Sequence, residues 1–198
     1  MSAVIDRARR CGLLPQESWA ALDSTALSTR HASEYFRFRR ARDGREITIR
    51  NWPKLGLAVE VRSHLVLGAT AGKGLSYDFA LFEPLLRQAV THARVGLAMS
   101  DAGFDSEHNH VIAREVLGVP RTLINLNRRG KGPNIHGRYR REMSRRFSRR
   151  LYGQRWQVEA VISQIKRRLG SVLHARNERS QSTEMLIKVL THTIAVVR

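Results

Sequence analysis

The stretch LYGQRWQVEAVISQIKRRLG (151–170) decides the fold class. Its Leu151, Val158, Val161, Ile165 and Leu169 recur at helical spacing, and Gly170 supplies a stop. With Tyr152 as zero and about 100° per residue, Arg155 falls near 300°, Glu159 near 340° and Lys166 near 320°. These four polar side chains share one stripe about 60° wide, beside an apolar face between roughly 180° and 260°. Such a helix lays its apolar face on a sheet and holds its polar stripe at the edge of the packing surface. The strands for that sheet lie upstream. SWAALDST (18–25) and VGLAMSDAG (95–103) are apolar runs of strand length ending in Asp23 and Asp101. KLGLAVEV (54–61) and HLVLGATA (64–71) read as a hairpin around Arg62-Ser63, and RTLINLN (121–127) as a further strand. FALFEPLLRQAVTHA (79–93), with Asp78 as N-cap, and SEHNHVIAREVLG (106–118) read as helices. The last helix runs from Ser180 to Arg198, with Ser180 or Ser182 as cap. The order predicts one mixed α/β sheet with flanking helices, occupying residues 18–198 behind a polar N-terminal arm at 1–17.

Charge narrows the partner. The 198 residues carry 35 Lys plus Arg against 17 Asp plus Glu, a net charge of +18. Only five of the basic residues are Lys, at 54, 73, 131, 166 and 188, which leaves 30 Arg. The planar guanidinium suits phosphate, so nucleic acid ranks first among polyanionic partners and an anionic membrane well below it. No run approaches the roughly 18 apolar residues of a membrane span. The start lacks the apolar core of a signal peptide, and the single Cys11 excludes an internal disulfide and a cysteine-based zinc cluster. The expected setting is the cytoplasm. Between Arg128 and Arg150 ten basic residues face one acid, Glu142. This basic segment is expected to be a loop in its glycine-rich first half, helical in its second half, and to track phosphates through Arg145, Arg146, Arg149 and Arg150.

The acids suggest chemistry. In open α/β sheets reactive groups collect at the carboxyl edge of the strands, where Asp23 and Asp101 fall if their strands are neighbours. With Glu159 on the helix stripe they would form a carboxylate cluster. Arg155 and Glu159 also make an ordinary i, i+4 pair, worth only a few tenths of a kcal/mol. Three converging carboxylates, by contrast, repel one another unless a cation sits among them. Oxygen donors without a Cys or His set favour Mg²⁺ or Mn²⁺, and two such ions about 4 Å apart suit phosphodiester chemistry. Gly72-Lys73-Gly74 falls short of a phosphate-binding loop, so no nucleotide cofactor is expected.

Tyr152-x2-Arg155-x3-Glu159-x6-Lys166 resembles the signature of bacterial insertion-sequence DDE transposases. LDSTAL (22–27) and SDAGFDS (100–106) are similar to that family's first and second Asp segments, in the right order. The resemblance runs from about residue 19 to the C-terminus. It implies an RNase H-like fold, the catalytic core also of retroviral integrases, with Asp23, Asp101 and Glu159 as metal-binding triad. It further implies that Tyr152, Arg155 and Lys166 contact transposon-end DNA, and that water frees a 3′-OH which then attacks target DNA. Double-stranded DNA, as element end and as target, is the implied partner, and such enzymes generally work as dimers. Two departures accompany it. Only 22 residues precede Asp23, where the family carries a helical DNA-binding region, so the chain is expected to be N-terminally truncated. The Asp101 to Glu159 interval leaves no room for a large inserted sheet.

Three readings follow: an active transposase domain, a truncated remnant that binds DNA without cutting it, and a related nuclease acting on RNA-containing duplexes. Among other residues, Asp105 is expected to cap the following helix rather than compete with Asp101. His108 and His110, two apart, point about 200° away from each other on a helix and are read as surface or capping groups. Trp156 is placed under the last helix, with base stacking as its alternative.

Overall fold

A computed structural model describes residues 1–30, 36–40, 46–50, 52–72, 78–127 and 135–198. In chain order the elements are α1 (Ser2–Arg10), β1 (Ser18–Ala26), β2 (Ser28–Thr29), β3 (Phe36–Arg40), β4 (Glu46–Arg50), β5 (Lys54–Glu60), β6 (Val66–Gly72), α2 (Asp78–His92) and β7 (Val95–Ser100). A 3-10 turn (Ala102–Phe104) leads to α3 (Glu107–Val111), which continues as a π-helical turn (Ile112–Val116), and then β8 (Arg121–Ile124). The chain ends with α4 (Arg138–Arg146), α5 (Arg149–Tyr152), a 3-10 turn (Gly153–Arg155), α6 (Trp156–Leu169), β9 (Val172–Leu173) and α7 (Glu178–Val197).

Five strands form one sheet in the order β6-β5-β1-β7-β8. β1 pairs antiparallel with β5 and parallel with β7, so the Asp23 and Asp101 ends of two strands lie side by side. Strand alternation sends Ala21 with Leu57 and Met99 into one core, shared with Val158, Val161 and Ile165 of α6 and Val189 of α7. Ala20 and Leu22 point the other way, against Leu85 and Leu86 of α2. Both faces are thus covered, which explains the near-continuous apolar reading of β1 and β7. α2 lies so close to β6 that a Cβ at Gly68 would stand 2.6 Å from the Leu85 carbonyl oxygen, a clash only glycine avoids. The β5–β6 turn is held by the buried Glu60, whose carboxylate accepts the Arg62 and Ser63 backbone N–H groups at 2.9 and 2.7 Å.

Several local expectations change. The N-terminal arm contains a helix: Ile5 and Ala8 of α1 are buried, and Ala8 packs with Leu65 and with Val197 of α7. The second half of the basic segment is helical, as its sequence suggests. Residues 128–134, with Arg128, Arg129 and Lys131, lie outside the described residues, as do Asp43-Gly44, whose sequence reads as a turn, and Lys73-Gly74. Its later part forms α4, entered through Gly137 at φ 97°. Tyr139 and Met143, four apart, are its buried face, and Glu107 accepts the Tyr139 and Arg140 N–H groups that the helix start leaves open. Asp105 does not cap α3. Its fully buried carboxylate takes Arg140 Nε and Nη2 at 2.9 and 2.8 Å and the Asn127 N–H at 2.8 Å, while Ser106 caps the helix. His110 is no surface group either. It is buried against Thr122 Oγ1 at 2.7 Å, and burial pushes its imidazole down to about 4. α7 starts earlier than expected, capped by Asn177.

Arg140 and Asp105 fasten α4 to the loop after β7. Removing one partner leaves a buried charge uncompensated, so Asp105→Ala is expected to cost about 3–5 kcal/mol in denaturant unfolding. Adding Arg140→Met should recover part of that loss. A cost below about 1 kcal/mol would mean that the pair does not anchor the helix.

Candidate active site

The end of β1 carries three consecutive polar residues, Asp23, Ser24 and Thr25, on alternate faces of the sheet. Asp23 and Thr25 face α6. Arg155 Nη1 donates to Asp23 Oδ2 at 3.2 Å, and its Nη2 donates to Glu159 Oε1. About two turns beyond Glu159, Lys166 Nζ donates to Thr25 Oγ1 at 2.7 Å. The stripe read from the sequence is therefore applied to the strand end, with Val158, Val161 and Ile165 buried beside it. Tyr152 stands just before the 3-10 turn, half-buried, its ring 4.8 Å from that of Phe147 and 5.8 Å from the Arg155 guanidinium.

Asp101 follows β7 directly. Its Oδ1 accepts the Gly103 N–H at 2.9 Å and so caps the 3-10 turn. Its charge reaches Asp23. Burial pushes the Asp23 carboxyl up from 3.8 to about 6. The Ser24 N–H works against that, Asp101 adds to it, Arg155 opposes it and Glu159 adds again. Asp101 and Asp23 also help raise the Tyr152 phenol, after burial and against the pull of Arg155. Burial works against the charge on Arg155, and Tyr152, Glu159 and Asp23 more than offset it. The three acids thus share one electrostatic neighbourhood, with a guanidinium bridging two of them. Among the described residues, no three His, Cys, Asp or Glu side chains stand close enough together to hold an ion as they are. The donor set is all oxygen and its repulsion is only partly neutralised, which fits a hard divalent cation.

Arg145, Arg146, Arg149 and Arg150 are all exposed, at the end of α4 and the start of α5. Arg138, Arg141, Glu142, Arg145 and Arg146 line an open cavity of about 460 Å³. Nothing places these arginines against the carboxylates; the link is Phe147, between α4 and α5, whose ring rests on Tyr152. Trp156 does not pack under α7. It begins α6 and is 54% exposed. Ser24, Thr25 and Asp78 were not singled out by sequence as site residues, although the Asp-Ser-Thr run at a strand end was visible.

The family model described as a transposase DDE domain matches residues 15–194. The chain belongs to that family, and its mixed sheet with flanking helices is RNase H-like. No curated protein matches the chain. No helix among the described residues is long and apolar enough to cross a membrane.

The raised Asp23 carboxyl has a pH signature. A folded-state value above the unfolded one favours folding while the group is protonated, and that contribution disappears as pH rises through about 6. Asp23→Asn should match the wild type near pH 3.5 and become progressively more stable than it up to pH 7, by on the order of 3 kcal/mol at most. Chemical unfolding without added metal, repeated across that range, checks it. A difference independent of pH would show that the carboxyl is not strained.

Proposed function

We propose that this transposase-family domain hydrolyses phosphodiester bonds at the ends of an insertion element and joins the freed 3′-OH to target DNA. The observation that carries the reading is the shared field of Asp23, Asp101 and Glu159 at the carboxyl edge of β1 and β7, faced by Arg155 and Lys166. Asp23, Asp101 and Glu159 would hold the divalent ions, Mg²⁺ or Mn²⁺, that domains of this family generally use. When bound, such ions activate the attacking oxygen and steady the leaving one.

The chain's own residues do the rest. Arg155, Lys166 and Tyr152 bind the DNA backbone around the reacting phosphate, the guanidinium and ammonium by charge and the phenol by its hydroxyl. For Arg155 this means leaving its contacts with Asp23 and Glu159, which an incoming cation would replace. Water attacks phosphorus and the P–O3′ bond breaks, leaving a 3′-OH and a 5′-phosphate. The 3′-OH then attacks a target phosphodiester, and the target's own P–O3′ bond breaks as the new one forms, leaving a 3′-OH on the target strand. No protein nucleophile takes part. Arg145, Arg146, Arg149 and Arg150 extend the phosphate track along α4 and α5, away from the reacting centre. Two copies of the chain acting on paired ends would complete the reaction, each copy cutting one end.

A second reading, a remnant that binds DNA without cutting it, draws on the same Arg155 bridge, since a guanidinium already neutralises two of the three acids. The two readings part on one assay. On duplexes bearing the element's ends, the active reading expects nicking that requires Mg²⁺ or Mn²⁺ and is abolished by Asp23→Asn and by Glu159→Gln. Nicking retained in either variant removes that residue from the triad, and salt-sensitive binding without nicking under either metal leaves the remnant.

The arginine track has its own check. Neutralising Arg145, Arg146, Arg149 and Arg150 together should weaken binding to all duplex sequences alike. It should also lower the slope of log affinity against log salt by about one for each phosphate that is no longer neutralised. An unchanged slope would make these arginines a solubilising surface only.

A further inference from the structure

From the geometry we infer that Asp78, at the start of α2, is a positioning residue for the first aspartate of the triad, acting through Ser24; the inference rests on the triad reading above. Ser24 faces α2, opposite to Asp23 and Thr25. Its Oγ donates to Asp78 Oδ1 at 2.5 Å, while its backbone N–H donates to Asp23 Oδ1 at 2.7 Å. The serine therefore couples the two carboxylates across the sheet. Lys54 at the start of β5, opposite Ala26 in the ladder, pairs with the same Asp78 oxygen at 2.7 Å. The other oxygen turns toward the loop that carries Asp101. A Cβ built on Gly103 would lie 3.1 Å from both Asp78 Oδ2 and Asp101 Oδ1, so the two carboxylates flank one glycine.

This placement differs from that of an ordinary helix-start acid. An aspartate in the first turn of a helix is satisfied by its own N–H groups and by solvent. Asp78 instead stands beside a second carboxylate and reaches back to a strand. Lys54 pairs with the same Asp78 oxygen and leaves the Ser24 contact in place. The result fixes the peptide that holds Asp23 Oδ1, from the face that Arg155 and Lys166 do not reach. Groups that orient a metal's carboxylate ligands typically change metal affinity by 10–100-fold when removed.

The test uses Mn²⁺ alone, titrated into the full chain without DNA, with thermal unfolding of each variant alongside. Asp78→Ala and Ser24→Ala are each expected to weaken Mn²⁺ binding about tenfold or more, with Asp78→Asn, which still accepts the Ser24 hydroxyl, losing less. Asp78→Ala combined with Ser24→Ala should be no worse than either alone, since both cut one connection. On element-end duplexes the same variants should lower kcat with KM little changed. Unchanged Mn²⁺ affinity in Ser24→Ala overturns the inference, because a loss confined to Asp78 would then reflect charge and not position. So do losses that multiply in the double variant. A wild type that binds no Mn²⁺ overturns the triad reading and this inference together, whereas Mn²⁺ affinity that is the same with or without Asp78 overturns the inference alone.

Discussion

The period of two along β1 governs the whole site. Residues 20 and 22 bury against α2 and residue 21 against α6, and that alternation continues past the apolar run into Asp23, Ser24 and Thr25. Because the strand is central and paired on both sides, its register is fixed by hydrogen bonds to β5 and β7. A slip of one residue would bury Asp23 against the apolar residues of α2 and turn Leu22 toward Arg155. The polar ending therefore inherits its orientation from the apolar body of the strand. Successive residues of the ending meet opposite sides: Arg155 and Lys166 reach Asp23 and Thr25 from the side of α6, and Asp78 reaches Ser24 from α2.

Within a chain of net charge +18, the carboxylates at this strand end are a local reversal. Asp23 is only partly exposed, its charge is disfavoured by burial, and its nearest acids add to the difficulty. A structure tolerates such crowding where cations compensate it. Arg155 does so directly, and Lys166 stands next in line on Thr25. Under the proposed function the same guanidinium would also serve as donor to a DNA phosphate. The two roles would exclude each other in time, so on that reading Arg155 would pass from carboxylate to phosphate as a cation bound.

Much of this was legible in the sequence, and for a plain reason. The α6 stripe needs only the helical period, so the faces assigned to Arg155, Glu159 and Lys166 carried over even though a 3-10 turn at Gly153–Arg155 interrupts the helix start. The strands were visible because a sheet covered on both faces reads as unbroken apolar runs. What stayed hidden depends on partners far away in the chain. Asp105 looks like a helix cap until Arg140, 35 residues later, reaches it. His110 looks like a surface group because its buried partner, Thr122, lies on β8. The burial of Ile5 and Ala8 in α1 depends on α7, at the other end of the chain. Asp78 has the composition of an ordinary cap, and only the sheet brings Ser24 and Lys54 to it. Trp156 was misplaced because its position near 40° on the wheel does not reveal that α7 leaves it uncovered.

The arginines of α4 show how one composition serves two purposes. The helix has a single buried stripe, Tyr139 and Met143, and Arg140 beside it turns inward to a carboxylate that no solvent reaches. A buried ion pair of this kind specifies geometry more than it stabilises, since exchanging both partners for apolar groups is often neutral. Its effect here is orientation. Arg114 reinforces it, pairing with Glu142 at 2.8 Å and lying over the Tyr139 ring at 4.5 Å. With Tyr139, Arg140 and Met143 committed to the interior, Arg138, Arg141, Arg145 and Arg146 are left on the outward side, around one open cavity. The backbone that carries those charges is ordered as a docked helix, so meeting a phosphate backbone would cost less backbone freedom than for a mobile loop of the same composition. The buried pair thus gives an arginine-rich segment one outward face, and the Phe147 ring beyond it rests on Tyr152.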